Sequence, residues 1–424
     1  MSKKVAVIID AFSTGHQLGS YFKKHNFDLI HIESAKGIPA SFKKYYRSED
    51  FQIDILHEGD IKQTAEKLRA YHPQFVIAGA ETGVELADYL SLELGLVTCN
   101  SKQLIEARRD KYLMIETIAQ AGLPTAKQLK TNELDELLSW VKETNDWPIV
   151  MKPVKSASSD HVTFCYTVDE VEQAFQSIFG TTNMFGLENQ EVLAQTFVTG
   201  QQYIVNAISF EGEHFITDIW EENFIESSDN NVMYDTFNLV ENHGTIQSEL
   251  IEYVKKVLTA LGIQHGPSHT ELRYTKNGPV IIETAARMMG ESFDEQVYDE
   301  TLNYNLPSIT AECYIDGKSL KQRFAKGYQK KQHLVAVFMI SHHAGMIEST
   351  SGLEHIRSLP TFAQIRTNAK VGSILEKTTA AMSHTGVILL AGKDREQIDK
   401  DTLTIRNLEK DGKLFTLTES SILI

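Results

Sequence analysis

Two glutamates placed symmetrically about a turn signal are the first residues that could do chemistry. The stretch SHTELRYTKNGPVIIETAARMMG contains Asn277-Gly278, a strong tight-turn dipeptide. Glu271 and Glu283 are equally distant from Asn277. A three-residue loop would make them direct cross-strand partners, with Cβ atoms roughly 5 Å apart. A two-residue loop would send them to opposite faces. Like charges so close need a cation between them, and paired hard oxygen donors suit magnesium bound to phosphates. The plainer reading is two solvated carboxylates on an exposed hairpin. Arg287 follows shortly after Glu283. Its guanidinium would hold a carboxylate or a transferring phosphoryl group, or else form an ordinary surface ion pair.

A second cluster is basic and polar. Lys152 ends the apolar run PIVMKP, where an ammonium needs an anionic partner to be buried. The loop Ser156-Ala157-Ser158-Ser159 follows, and small residues of this kind let backbone N–H groups approach phosphate oxygens. Taken alone, such a loop is more simply a surface turn. Lys111, at the start of a helical pattern, is the second candidate cation, with an isolated surface lysine as its default.

These residues need elements to position them. Residues 1–100 alternate short apolar runs (VAVIID, FDLIHIES, IDILHEG, QFVIAGA) with amphipathic stretches. That rhythm predicts a parallel sheet covered by helices, with ligand walls at Asp10–Gly15 and Gly79–Gly83 beyond the strand ends. No GxGxxG follows the first strand, so a dinucleotide fingerprint is missing. Residues 103–122 read as one helix stopped by Gly122 and Pro124. A small α/β unit spans about 125–198 and includes TTNMFGLENQ, read as a flexible stretch. Residues 200–290 read as antiparallel strands around one helix. From about 325 the strand LVAVFMISH opens a final α+β unit.

Bulk properties bound the function. The chain has 424 residues, 42% of them hydrophobic, which suits several domains around a sizeable core. A formal net charge of −16 argues against nucleic acid and anionic membranes as partners. Three well-separated cysteines, Cys99, Cys165 and Cys313, suggest inert thiols in a reducing cytoplasm rather than zinc or disulfides. No apolar run reaches a membrane span, and VAVII is too short for a signal segment, so a cytoplasmic protein is expected.

The order RDKYLMIETIAQAGLPT, PIVMKPVKSASSD, VLAQTFVTGQQY, HTELRY and GPVIIETAARMMG resembles the ATP-grasp superfamily across most of residues 1–310. AETGVELADYL, SHTELRY and ETAARMMG look most like bacterial L-amino-acid ligases. The resemblance implies α/β and α+β architecture. A Rossmann-like domain would span 1–110 and an ATP-grasp domain 111–324, with its lid at about 125–198 and an antiparallel central sheet. A C-terminal α+β unit would span 325–424, pack on the central domain and leave room for a homodimer contact.

Position by position, Lys111 and Lys152 match phosphate-contacting lysines, and Ser156, Ser158 and Ser159 match the phosphate loop. Gln195, Thr196 and Val198 match the adenine-edge strand. Gln202 stands where a ribose-holding glutamate is usual. Glu271 and Glu283 match metal-bridging carboxylates, for magnesium or manganese in its place. Ala285 replaces a common third ligand, asparagine, which puts a second metal in doubt. Arg287 matches the arginine on the reacting carboxylate. The implied reaction joins two amino acids through an acyl phosphate made from ATP. Glu81 would accept the first substrate's ammonium, and His269 is placed to touch substrate. Glu291 and Asp294 would lie near the first side chain and favour a basic amino acid. The alternatives are another ATP-grasp carboxylate–amine ligase or a carboxylase-type enzyme with a different substrate.

Overall fold

The computed structural model describes residues 3–40, 42–156, 160–226, 232–290 and 294–418. Its first sheet is parallel, in the order Ile53–Leu56, Phe27–Glu33, Lys4–Ile9, Pro73–Ala78. The near-continuous apolar runs follow from burial on both faces. Val7, Ile9, Ile30 and Val76 pack on the helices Ile61–Arg69 and Val84–Glu93. Ala6, Ile8, Phe75 and Ile77 share a core with the central sheet.

The expected helix over 103–122 is shorter than its pattern. Short 3₁₀ turns occupy Lys102–Leu104 and Glu106–Arg108, and the α-helix begins at Lys111. Asp110 decides this: its carboxylate accepts the Leu113 N–H at 2.9 Å and caps the helix. The break frees Arg108 and Arg109 to point back into the N-terminal domain. Arg108 is buried and bridges Asp88 at 2.7 Å.

The unit expected to be the lid is an antiparallel sheet in the order Gln128–Thr131, Val192–Thr196, Ile149–Pro153, Thr163–Cys165, backed by Leu134–Thr144 and Val168–Ile178. A capping box between Thr167 and Glu170 starts the second helix. Leu137, Val141, Ile149, Met151 and Phe175 form the lid's own core.

The central sheet has eight strands. Gly278–Ala285, Gly266–Thr275, Gln201–Phe210, Glu213–Glu226 and Val232–Leu239 lie in that order, and the sheet continues through His333–Met339, Gly386–Gly392 and Phe362–Thr367. Thr236 pairs with Val337, so hydrogen bonding runs unbroken across residue 325. Alternation on His333–Met339 serves two cores: Leu334, Ala336 and Phe338 face the central one, while Val335, Val337 and Met339 face the C-terminal one. Among the described residues, no helix is long and apolar enough to cross a membrane.

Candidate active site

The hairpin turn holds only two residues, Lys276 and Asn277, between Thr275 and its partner Gly278. That spacing alone would pair Glu271 with Ile282 and turn Glu283 to the other face. A bulge between Glu271 and Leu272 shifts the register, so Glu271 and Glu283 are direct partners after all. The expected pairing is present for a different reason than loop length.

Cations close on this pair. Lys111 Nζ lies 2.6 Å from Glu283 and 3.0 Å from the Ser156 carbonyl, tying helix, hairpin and lid loop together. Burial pushes Glu283 up, but Lys111 and Lys152 outweigh it and hold the carboxyl below its usual range. Lys152 is only 5% exposed and forms no ion pair among the described residues. Burial first, then neighbouring Lys111, pull its ammonium down to about 8, against the pull of Glu283 and Glu271. Glu271 receives His269 Nε2 at 3.3 Å, and His269 Nδ1 meets Asn206 at 2.9 Å. The methyl of Ala285 stands opposite His269.

Arg287 lies in the segment after the hairpin, which is docked on the N-terminal domain. Thr14 donates to the Met289 carbonyl at 2.7 Å and Ser13 to that of Gly290 at 2.8 Å. The expected walls do meet here: a Cβ at Gly15 would overlap the Gly79 carbonyl, so glycine is required for the two loops to touch. Glu81 begins the turn beyond Pro73–Ala78 and accepts Arg287 Nε at 2.7 Å and Arg109 Nη1 on its other oxygen. Burial favours its neutral form, but Arg287, Arg109 and Lys111 bring it down to about 2. Glu81, expected to meet an ammonium, is already paired with two guanidiniums. Arg109 was not singled out from sequence. Its signal was Asp110, a helix N-cap that starts the α-helix just after it and leaves Arg109 outside.

A buried acid was also missed. Glu222 is 2% exposed and accepts Gln202 Nε2 at 2.8 Å, while Arg273 Nε reaches Gln202 Oε1 at 3.2 Å. Burial and nearby Glu271 push Glu222 well above the usual carboxylate range. Consecutive glutamates inside the apolar strand DIWEENF were the available sign. The partly buried phenol Tyr234 is pushed up by burial first and then by the charges of Glu222, Glu271 and Glu283.

The remaining calls divide. Gln195 and Thr196 have their backbones in the lid ladder, and Gln195 Nε2 is bound to Gln128 at 3.0 Å. The Val198 N–H has no backbone partner among the described residues. Ser158, Ser159 and Glu291 lie outside the described residues. Asp294 is taken up locally: it accepts the Gln296 N–H at 2.9 Å as the cap of Glu295–Leu302. One of its oxygens thus serves that helix start. The segment TTNMFGLENQ, expected to be flexible, is held. Asn183 binds the Lys155 carbonyl at 2.8 Å, and Asp160 accepts the Met184 N–H at 2.9 Å and Ser156 Oγ at 2.6 Å. Phe185 then projects to within 5.5 Å of the Arg109 guanidinium and 6.0 Å of the Phe42 ring.

Among the described residues, no three acidic, histidine or cysteine side chains converge as a metal cluster. Glu271 and Glu283 are nonetheless a hard-oxygen pair with an ammonium already against one of them, so the donor set fits a divalent cation. The unpaired, nearly buried Lys152 fits a phosphate.

Comparison with known proteins identifies the family and the fold. Residues 145–295 match the ATP-grasp domain family. Dapdiamide A synthase of Enterobacter agglomerans is 32% identical over 415 residues, 97% of each chain. Alanine–anticapsin ligase of Bacillus subtilis (strain 168) is 25% identical over 44% of this chain and 43% of that one. The crystal structure of an L-amino acid ligase from Bacillus licheniformis shares the fold, with a TM-score of 0.74 at 16% identity over 99% of this chain and 100% of that one. The match to the ATP-grasp family and near full-length kinship with a synthase place the chain in the ATP-grasp superfamily, as an ATP-dependent amino-acid ligase.

Proposed function

We propose that the protein joins two L-amino acids into a dipeptide through an aminoacyl phosphate, releasing ADP and phosphate. The observation that carries this reading is Lys152, an ammonium 5% exposed with no ion pair among the described residues, beside the Glu271–Glu283 pair. An isolated buried charge is costly, and a phosphate would relieve it.

Lys152 and Lys111 would bind the phosphates of ATP, with Ser156 at the edge of the same loop. Val198 would offer its N–H to the base, and Gln202 its amide toward the sugar. Glu271 and Glu283 would hold magnesium, which would offset the negative charge that develops in phosphoryl transfer. A carboxylate oxygen of the first amino acid attacks the γ-phosphorus. The new O–P bond forms as the bond to the β-phosphate oxygen breaks, and ADP leaves with the electron pair. The amine of the second amino acid attacks the acyl carbon and loses a proton. The tetrahedral centre collapses, expelling phosphate. Arg287 orients the first carboxylate and steadies the developing oxyanion. Glu81 aims Arg287, and its negative charge also offers a seat for an ammonium. His269, in contact with Glu271, lies on the strand that borders this space. Phe185 over Arg109 would shut the lid loop and exclude water from the acyl phosphate.

Basic selectivity by acidic residues is not part of this reading, because Asp294 is committed to its helix. The test is phosphate release from ATP with magnesium across all amino-acid pairs, with products identified by mass. At least one pair should stimulate release and yield its dipeptide. If no pair stimulates release, the reading is wrong.

A further inference from the structure

A buried polar row crosses the central sheet behind the carboxylate pair. Asp218, Asn206 and His269 are direct cross-strand partners on three adjacent strands, and Ala285 ends the row on the fourth. Directly opposed residues share a face, so these side chains stand side by side. Asp218, Asn206 and His269 are all buried. Burying such groups is costly unless each is bonded.

The bonds along the row run in one direction. Asp218 stands opposite Asn206 because a bulge after Ile216 shifts its strand by one residue. Its Oδ1 accepts Trp220 Nε1 at 2.7 Å, and Thr217 Oγ1 reaches Oδ2 at 3.0 Å. An indole N–H can only donate, so Oδ1 is an acceptor, and the Asn206 amide must turn its nitrogen to it, at 2.6 Å. The Asn206 oxygen is thereby left to accept from His269 Nδ1 at 2.9 Å. The imidazole is fixed along that edge, and its other edge, Nε2, meets Oε1 of Glu271 at 3.3 Å. Glu271 lies two residues along the same strand and on the same face. On the hairpin side of the ring Ala285 offers only a methyl. Asn206 Nδ2 also lies 3.7 Å from Met289 Sδ, and the Met289 carbonyl accepts the Thr14 hydroxyl. The row therefore touches the segment docked on the N-terminal domain as well as the carboxylate pair.

We propose that Asp218 and Asn206 are positioning residues for the divalent-cation site: acting through His269, they fix where the Glu271 carboxylate stands opposite Glu283. The inference rests on the reading of that pair as the cation's ligands. A glutamate side chain turns through several rotamers unless something holds it. Glu283 is held by Lys111 at 2.6 Å. Among the described residues, His269 is the one side chain bonded to Glu271, so the row is the matching restraint. A carboxylate ordered before the cation arrives loses less freedom on binding it, and groups behind a metal ligand raise affinity in this way.

The experiment uses the full chain with ATP and manganese(II). Free manganese is counted by electron paramagnetic resonance, so no turnover is needed. Asn206→Leu, of similar volume, removes the middle link and should weaken manganese binding by about ten-fold or more, the usual loss when a group behind a metal ligand is removed. Binding of ATP without metal, in the presence of a chelator, should be unchanged. Asp218→Asn still offers an acceptor to Asn206 and should keep most of the affinity that Asp218→Leu loses. Where the leucine variant of Asn206 does not fold, Asn206→Ala carries the same test. Manganese affinity equal to wild type in the folded Asn206 variant overturns the inference. So do equal losses in the two Asp218 variants. A fall in manganese binding and metal-free ATP binding together also overturns it, since the row would then only pack the sheet. If wild type with ATP binds no manganese, the reading of the glutamate pair falls and takes this one with it. If Glu283→Gln loses manganese and the Asn206 variant does not, only this inference falls. The pair screen tests dipeptide formation separately, and its result stands whichever way the manganese experiment turns out.

Discussion

Arg287 donates from Nε to Oε2 of Glu81 at 2.7 Å, across 206 residues of chain. The pair locks the segment after the acidic hairpin onto the N-terminal domain. Arg109, on the other oxygen, adds the start of the first ATP-grasp helix.

Glu81→Gln is therefore expected to destabilise the protein by about 3 kcal/mol, since removing one partner strands buried charges. The carboxyl is held down at about 2, so its contribution is full above the unfolded value. It is lost as pH falls through that value toward 2. Denaturant midpoints of wild type and variant should differ at pH 7 and converge as the pH falls below about 4. Coincident midpoints at pH 7 would refute the role.

Glu283→Gln should lower kcat by about 10² or more, the usual loss when a positioned electrostatic group is removed. It should also abolish the response of turnover to magnesium. A magnesium titration of phosphate release checks this, and a variant that still responds like wild type would remove Glu283 from the metal site.

Lys152 should link ATP binding to pH. Its free-protein value is lowered to about 8, so the ammonium loses its proton as pH rises through that value. Phosphate favours the charged form. ATP binding at pH 9 should then take up a proton, and at pH 6.5 it should not. Calorimetry in buffers of different ionisation enthalpy reads this directly. Lys152→Arg should abolish the uptake, and a buffer-independent enthalpy in wild type at pH 9 would contradict it.

Phe185→Ala should loosen the contact of the lid loop with Arg109. A cation–π contact of about 0.5–1 kcal/mol corresponds to a few-fold change in closure. The expected result is more phosphate released per dipeptide, as water reaches the acyl phosphate. A ratio identical to wild type would show that the ring does not seal the site.

Residue order alone made much of this protein legible where chemistry and local pattern coincide. The turn at Asn277-Gly278, the acids on either side, the lysine ending PIVMKP and the βαβ rhythm all rest on short-range rules of turn geometry, burial cost and periodicity. The family followed from their succession. Tertiary structure decided the rest. The loop length was left open by the sequence; the observed two-residue turn would put Glu283 on the other face, and only the bulge at Glu271/Leu272 restores the pairing, because strand register is set by both neighbours of Gly266–Thr275. Arg109 and Glu222 acquire meaning only from partners far along the chain, Glu81 and Gln202. Asp294 also caps a helix, because the next turn's free N–H groups lie within its reach. Local sequence specifies which groups can ionise, bond or turn. Which of them meet is settled by packing between elements that residue spacing does not encode.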